Sequence, residues 1–273
     1  MGLIDDDGKL SYKRIVEIND SNRNEEYIFK SIKSYVDEFA DKAESVGIGV
    51  PGIVHNNQIV YTCNLPLKNV NVSEYIGNKL PLRVGNDALC AALAEYHFVD
   101  NKMYSNYALV TIGTGIGAGI ILNGNVYNGT TGVAGEIGHM VIDKDGISCS
   151  CGRRGCYEKY ASISSLLKKT HTESIKEFFY LLDRNPKIAK VFDEYLNNVA
   201  EGLANVINMY DLEMLVIGGG IAWFSDKFLH TLKAKIADKI LNKYTYDLNI
   251  KCAKLGNDAG IIGASLLAQY EDQ

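Results

Sequence analysis

Short runs of β-branched residues that stop at glycine recur along this sequence, and longer helical patterns separate them. The runs lie in Val46–Gly52, Tyr107–Gly113 and Met214–Gly218. Strands that alternate with helices are typical of βαβ units and of a mainly parallel sheet. The sequence therefore predicts an α/β fold, and its 273 residues are enough for one large or two modest domains.

The spacing of apolar residues predicts individual elements along the chain. Predicted strands cover Lys9–Ile18, Val46–Val50, Tyr107–Ile112 and Asn249–Lys254. Predicted helices cover Asn24–Ala43, Ala88–Phe98, Tyr157–Thr170, Glu173–Leu182, Pro186–Met209, Asp226–Leu241 and Asp258–Tyr270. The Asn123-Gly124 pair is a strong hairpin signal after the strand that ends at Ile112.

Charge and composition exclude several classes of protein. The chain has 28 basic and 33 acidic residues, a net charge of −5, and its basic residues are scattered, which argues against a nucleic-acid surface. No apolar run is long enough to cross a bilayer. An acidic run, Asp5–Asp7, follows soon after Met1, so no signal peptide is expected. The simplest interpretation is a cytoplasmic protein.

Three of the six cysteines, Cys149, Cys151 and Cys156, lie within eight positions, ten residues after His139. Thiolate and imidazole are zinc ligands, and a structural zinc site usually has four of them. The alternatives are reduced surface thiols or a disulfide, and a cytosolic setting disfavours the disulfide. We expect His139 and these cysteines to hold a structural zinc, because four protein ligands leave no open position for catalysis.

Two carboxylates flank the cysteine loop. Glu136 lies three residues before His139, and Glu158 lies two residues after Cys156. Either glutamate alone is most simply a solvated surface acid. A loop clamped by a metal would fix both carboxylates together, so we expect them to bind a ligand.

Two glycine-rich segments could approach phosphate. Gly113–Gly119 follows a strand and carries the hydroxyl of Thr114, although it is neither a Walker loop nor a dinucleotide fingerprint, and a tight hairpin entry is an equal alternative. Gly218–Gly220 ends a strand, where α/β sheets bind ligands, and could also be a plain connector. Asn86-Asp87 joins a strand to a helix, either as a helix cap or with a carboxylate poised to accept a proton.

Taken in order, seven motifs resemble those of the ROK family of bacterial sugar kinases and sugar-responsive repressors. They are GVPG (Gly49–Gly52), NDALCAALAEY (Asn86–Tyr96), TIGTGIGAGI (Thr111–Ile120), GEIGHMVID (Gly135–Asp143), CSCGRRGCYEKYAS (Cys149–Ser162), VIGGGI and NDAGIIGA (Asn257–Ala264). The resemblance covers almost the whole chain, and the cysteine signature after GEIGH is its most specific part. It implies the actin-like ATPase (ribonuclease H-like) fold, with two α/β lobes around a cleft.

The resemblance also implies roles for individual residues. Asp87 would be the catalytic base for the sugar hydroxyl. The sugar-binding residues would be Gly52, Asn64, Asn86, Asp87, Glu136, His139 and Glu158. Thr114 and Gly115 would face the nucleotide phosphates, and Gly219 and Gly220 would lie near adenosine. The ligands of the structural Zn²⁺ would be His139, Cys149, Cys151 and Cys156.

The implied activity is ATP-dependent phosphorylation of a hexose, as in a glucokinase, with Mg²⁺ shielding the phosphates. An N-acetylmannosamine kinase or another hexose kinase is an alternative. The expected partners are a hexose or N-acetylhexosamine and ATP. No nucleic acid or membrane partner is expected. Because members of the family are typically dimers, the resemblance suggests a homodimer. We expect a smaller lobe from 1–104, with helix 258–273 packing back on it, and a larger lobe with the zinc loop from 105–257.

The chain departs from the family pattern at its start. Family kinases open with a strand and a phosphate loop of the form DxGGTxx, whereas this chain opens with MGLIDDDGKL, which resembles the second strand. The first strand is therefore expected to be missing, which would leave a gap or a new edge in the sheet. Three interpretations remain: an intact kinase given with a shortened start, a degenerate protein that binds sugar without transferring phosphate, or a domain of a repressor.

Overall fold

The computed structural model describes residues 1–241 and 248–270, which form two compact units. The first unit comprises Met1–Met103, Asn125–Ala134 and the stretch that begins at Asn257. The second unit comprises Tyr104–Gly124 and Gly135–Gly256. Residues 271–273, the end of the predicted closing segment, lie outside the described residues. No helix in the described ranges is both long and apolar enough to cross a membrane.

A sheet of four described strands forms the centre of the second unit. Its strands are β8 (Tyr107–Ile112), β9 (Ile116–Leu122), β11 (Met214–Gly218) and β12 (Asn249–Cys252), whereas the short strand β10 (Asn125–Val126) lies in the residue range of the first unit. The four strands lie in the order β9-β8-β11-β12, in which β9 is antiparallel to β8, and β11 is parallel to both β8 and β12. Strands β8 and β11 are buried over almost all of their length, which explains their continuous apolar sequences.

Five α-helices among the described residues accompany this sheet. They are α4 (Glu158–Ala161), α5 (Ile163–Thr170), α6 (Ile175–Leu182), α7 (Pro186–Tyr210) and α8 (Ser225–Ala237). Helix α7 begins at Pro186 after the cap Asn185, whose side chain accepts the N–H of Lys187 at 3.0 Å. The apolar side chains of these helices and of β8, β9 and β11 form one continuous core.

The first unit contains three small sheets. Strands β1 (Leu3–Ile4) and β2 (Leu10–Ser11) form an antiparallel pair, and β3 (Val46–Val50) and β7 (Leu82–Asn86) form a parallel pair. Strands β4 (Gly52–His55), β5 (Gln58–Thr62) and β6 (Lys68–Asn71) form an antiparallel sheet that the sequence analysis missed. The pair that contains β1 and the pair that contains β3 are separate sheets, because no described strand forms hydrogen bonds with both β1 and β3.

Four helices complete the first unit: α1 (Glu25–Phe39), α2 (Val72–Ile76), α3 (Asp87–Ala94) and α9 (Ala259–Leu266). Helix α3 continues as a π-helical turn over Glu95–Val99. Helices α3 and α9 approach closely at Gly263, where a Cβ would lie 1.6 Å from the carbonyl oxygen of Cys90. Glycine at this position is what allows the two backbones to touch.

The structure corrects four predicted elements. The predicted strand Lys9–Ile18 is limited to β2, because Tyr12 has φ +49° and Ile15 is exposed. The predicted helix Tyr157–Thr170 is divided at Ser162, whose extended backbone and hydroxyl cap the N-terminus of α5. The predicted helix Asp258–Tyr270 is α-helical only through α9, and a 3-10 helix follows over Leu267–Gln269. Helix α8 also ends at Ala237, four residues before Leu241.

Candidate functional site

The structure brings the four predicted zinc ligands together in the second unit. His139 ends a short 3-10 helix (Ile137–His139), and Cys149, Cys151 and Cys156 lie in the loop that follows. Backbone hydrogen bonds fold this loop back on itself, among them Cys149 N–H to Arg153 O at 2.8 Å. At Gly155, where φ is +74°, a Cβ would lie 1.6 Å from the carbonyl oxygen of Asp143, so the tight crossing requires glycine.

The geometry of the cluster fits a tetrahedral zinc ion. One ligand atom from each of the four residues lies within 4.8 Å of all the others. Cys149 Sγ lies 3.7 Å from His139 Nδ1, and the Sγ atoms of Cys151 and Cys156 are 3.5 Å apart. Zinc bonds of about 2.3 Å to sulfur give ligand separations of about 3.8 Å in a tetrahedron. The four side chains therefore match the size of a zinc coordination shell.

The thiols of this cluster differ in their surroundings. Burial raises the pKa of Cys156 to about 12, whereas the backbone N–H of Arg153 lowers the pKa of the exposed Cys151. A buried thiol binds a metal only as the thiolate, so an ion here must supply the positive charge that the protein around Cys156 lacks. Donors of this kind suit zinc, which prefers sulfur and imidazole ligands.

Both predicted carboxylates lie next to the cluster. Glu136 Oε2 is 3.9 Å from His139 Nε2, the imidazole nitrogen that the nearest thiol does not contact. Glu158 Oε1 accepts a hydrogen bond from Cys149 Sγ at 3.4 Å. Glu136 and His139 remain partly accessible, and Glu158 is more enclosed. The cysteine loop and the two carboxylates thus form one structural group.

Lys159 belongs to this group and was missed by the sequence analysis. Its Nζ lies 3.0 Å from Glu158 Oε1, and this hydrogen bond raises the pKa of the lysine. The positive charge of Lys159 therefore compensates the negative charge of Glu158. The only signal in the sequence is the adjacency of the two residues in CYEKY, which does not reveal that side chains at successive helical positions will meet.

The first glycine-rich segment is a tight hairpin between β8 and β9. Gly113, Thr114 and Gly115 form the connection, and Gly113 N–H donates to Gly115 O at 3.0 Å. Thr114 is exposed at the tip. A Cβ on Gly115 would lie 3.2 Å from Glu158 Oε2, so this loop and the carboxylate are neighbours. The loop is therefore a tight hairpin, as one of the two alternatives predicted, and it lies beside Glu158.

The second glycine-rich segment ends β11. Gly219 has φ +81°, and a Cβ there would lie 2.3 Å from the carbonyl oxygen of Ile112, the last residue of β8. Gly220 begins a 3-10 helix over Gly220–Phe224. Both glycine segments therefore lie at the carboxyl ends of the neighbouring strands β8 and β11, the usual ligand-binding edge of an α/β sheet.

In the first unit, Asn86 is the N-cap of α3. Its Oδ1 accepts the N–H groups of Ala88 at 2.8 Å and Leu89 at 3.2 Å, and its Nδ2 donates to Gly52 O at 3.0 Å. The predicted residues Asn86 and Gly52 are thus in direct contact. Asn64 is exposed two residues beyond Thr62, which pairs with Gly52 across β4 and β5.

Asp87 is the first residue of α3, directly after the cap. The residue is exposed. Nearby protein atoms nevertheless raise the pKa of Asp87 by desolvation, which hydrogen bonds from the backbone N–H groups of Ala88 and Asp87 itself partly oppose. A carboxylate with a raised pKa at the end of a strand is well suited to accept a proton.

Comparison with known proteins identifies the family. The model of the ROK family matches residues 1–271. This chain belongs to the ROK family. The resemblance predicted from the seven motifs is therefore confirmed.

The chain is similar to both kinases and repressors. A glucokinase of Halalkalibacterium halodurans is 33% identical over 255 residues, which cover 83% of this chain and 76% of that protein. A xylose repressor of Bacillus spizizenii is 32% identical over 231 residues, which cover 81% of this chain and 59% of the repressor. The chain thus spans less than two thirds of the length of the repressor.

A solved ROK structure shares the fold along the whole chain. The ROK family glucokinase of Streptomyces griseus, in complex with glucose and AMPPNP, superposes with a TM-score of 0.81 at 26% identity. The match covers 98% of this chain and 95% of that one. Like ROK glucokinases, this chain has the mixed α/β actin-like ATPase fold, as the resemblance implied.

Proposed function

We propose that this protein transfers the γ-phosphoryl group of ATP to a hexose, as a glucokinase does. By family the chain is a sugar kinase, and the glucokinase of Halalkalibacterium halodurans supports this activity. The observation that carries the proposal is the second-unit group in which Glu136 and Glu158 lie directly against the His139 and cysteine cluster. A hydroxyl-rich ligand requires several fixed acceptors, and this group provides them.

The first unit would supply the base. Asp87 would accept the proton of the sugar hydroxyl as its oxygen attacks the γ-phosphorus, while the bond from that phosphorus to the leaving ADP oxygen breaks. Asn86 and Gly52, held together by their hydrogen bond, would contact neighbouring hydroxyls, and Asn64 would do so from the loop after β5. The raised pKa of Asp87 makes it a stronger base than an ordinary aspartate.

The second unit would orient the sugar. Glu136 would accept hydrogen bonds from hydroxyls, and His139 would contact the sugar through Nε2 while Nδ1 faces the thiols. Glu158 would bind a hydroxyl with the oxygen that Lys159 does not hold. A zinc ion held by His139 and the three cysteines would fix this loop in shape, and no proton transfer passes through it.

The same unit would hold the nucleotide. Thr114 and Gly115 would approach the phosphates with a hydroxyl and backbone N–H groups, and Gly219 and Gly220 would lie near the adenosine. Mg²⁺ bound with ATP would neutralise phosphate charge.

A second candidate is a non-catalytic sugar-binding protein of the repressor type. The 32% identity to a xylose repressor supports it, and that relative is longer than this chain. In this case the carboxylates of the second unit would bind sugar and the protein would not turn over ATP. Sugar binding and phosphate transfer therefore have to be measured separately.

The deciding experiment is a coupled assay of ADP release with Mg²⁺-ATP and a panel of glucose, mannose, N-acetylmannosamine and xylose. We expect turnover with at least one hexose, and the preferred sugar identifies the kinase. Asp87→Asn should reduce kcat by roughly a hundredfold or more, since general base catalysis contributes about 10² to 10⁴. Its sugar affinity, measured by calorimetry, should change little.

Asp6→Asn is the matched control, because Asp6 is an exposed aspartate of the same unit. It should retain the activity of the parent protein. Binding of a sugar without any turnover would favour the repressor-type protein. Binding of no sugar by the parent protein would contradict both candidates.

A further inference from the structure

Trp223 is the only tryptophan of the chain, and it is one of the most exposed large apolar residues described, at 69%. It lies on the 3-10 helix Gly220–Phe224. Its neighbours hold this helix firmly on the core. Ile221 is completely buried, and Phe224 stacks on Phe179 with ring centroids 4.3 Å apart. The backbone that carries the exposed indole is therefore anchored.

The six-membered ring of the indole packs against Gly256. Trp223 Cζ2 lies 2.8 Å from the position that a Cβ on Gly256 would occupy, and Cη2 lies 3.2 Å from it. Gly256 has φ +58°, so it is glycine that lets the six-membered ring lie against the backbone. An isolated exposed apolar side chain is ordinary, but one that rests on a glycine and leaves most of its surface open is a preformed platform.

The strand order of the second unit indicates where a ligand would bind relative to Trp223. From β8 the chain proceeds to β9 on one side of the sheet, whereas from β11 it proceeds to β12 on the other side. Such a reversal marks the place where α/β sheets bind ligands, beyond the carboxyl ends of the two strands. Gly219 follows β11 at this place, and Trp223 is four residues further along the chain.

We propose that Trp223 stacks on the adenine ring of the bound nucleotide and determines the preference for adenine nucleotides over inorganic polyphosphates. This proposal rests on the proposed kinase function, in which Thr114 and Gly115 would face the phosphates and Gly219 and Gly220 would lie near the adenosine. A planar base requires an aromatic or apolar face, and stacking is available to every purine. The indole is the exposed aromatic group on the 3-10 helix that directly follows the Gly219 turn.

The single tryptophan makes the proposal directly measurable. ADP and the nonhydrolysable analogue AMPPNP should change the fluorescence of the parent protein with saturation, because the base covers the fluorophore. Inorganic tripolyphosphate should compete with ADP and leave the fluorescence unchanged. Trp223→Ala should weaken ADP binding in calorimetry roughly tenfold, since base stacking on an aromatic side chain typically contributes about 1 to 3 kcal/mol. Tripolyphosphate affinity should stay the same.

Trp223→Phe keeps an aromatic face and should retain most of the ADP affinity. Met209→Ala, a change at another exposed apolar residue of the same unit, should have no effect. Circular dichroism confirms that each variant is folded. If ADP binds equally to the parent protein and to Trp223→Ala, the stacking proposal is wrong and the kinase proposal stands. If ADP binds to neither, both proposals are wrong.

Discussion

The raised pKa of Asp87 favours catalysis and disfavours stability at the same residue. Desolvation raises its pKa, which makes it a better base and at the same time a costlier charge to keep in the folded protein. Residues placed for catalysis often carry such a cost. Asp87→Asn, which should strongly reduce kcat, should therefore not lower the melting temperature.

The raised pKa of Asp87 predicts the pH dependence of turnover. The base works only as the carboxylate, so kcat/KM should fall as the pH decreases through the pKa of Asp87 in the free protein. Because that pKa is raised above 3.8, the acidic limb should have its midpoint above pH 3.8. The measurement is kcat/KM for the sugar against pH at saturating ATP. A midpoint at or below 3.8 would show that another group limits the rate.

Gly202 in α7 packs closely against the buried side chain of Tyr157. A Cβ there would lie 2.3 Å from the ring of Tyr157, which is completely buried and donates its hydroxyl to Val199 O at 2.8 Å. Gly202→Ala should lower the free energy of unfolding by about 1 to 3 kcal/mol, the usual cost of overpacking a core. Urea denaturation measures the change.

Gly260 provides the matched control for this substitution. It also lies in a helix, α9, but a Cβ there would have no heavy atom within 4 Å. Gly260→Ala should stabilise the protein by about 0.5 to 1 kcal/mol, because alanine loses less backbone entropy than glycine. Equal changes in the free energy of unfolding for the two substitutions would mean that helix propensity alone determines the effect. The contact with Tyr157 would then contribute nothing to stability.

At the scale of elements, the two units differ in how their parallel strands are paired. In the second unit β8 has a partner on each side, β9 and β11. In the first unit β3 pairs only with β7 among the described residues. A strand with one unpaired edge exposes its amide groups to opening and to water.

This difference predicts the pattern of amide hydrogen exchange. Amides of β8 and β11 should exchange most slowly, and those of β3 should exchange faster although Ile48 and Val50 are buried. Exchange followed by mass spectrometry on peptides from both units provides the comparison. Equal protection of β3 and β8 would show that the free edge of β3 is covered in solution.

The sequence predicted those elements whose signals are local. Continuous apolar strands such as β8 and β11 and the Asn123-Gly124 hairpin follow from neighbouring residues, and both turn residues do have positive φ. The hairpin between β4 and β5 was missed although Asn56 and Asn57 carry the same signal, with φ of +49° and +62°. The division at Ser162 depends on a hydroxyl cap, which a hydrophobic pattern does not register.

The candidate site shows the same limit. Closely spaced cysteines after a histidine were enough to predict the cluster, because the loop that holds them is local in sequence. The sequence could not show that Nδ1 of His139 faces the thiols, or that Lys159 occupies one oxygen of Glu158. These details depend on side-chain directions fixed by packing, which residue spacing does not specify.

At the scale of the whole molecule, all four candidate zinc ligands belong to the second unit. Metal removal should therefore loosen that unit selectively. Purified without exposure to oxygen, the protein should contain about one zinc per chain. Chelation should increase hydrogen exchange in residues 139–158, where the loop is otherwise held mainly by backbone hydrogen bonds, and leave α3 and α9 unchanged.

Cys151 and Cys63 form a matched pair for this test, because both are exposed and only Cys151 belongs to the cluster. Cys151→Ser should lose zinc and show the exchange pattern of the chelated protein, whereas Cys63→Ser should keep both the metal and the protection. Sugar affinity should fall with the metal, since Glu136 and Glu158 lie against the loop that the ion would hold. Full sugar affinity in the zinc-free protein would show that hydrogen bonds alone position these carboxylates, and the structural role of the metal would then have to be abandoned.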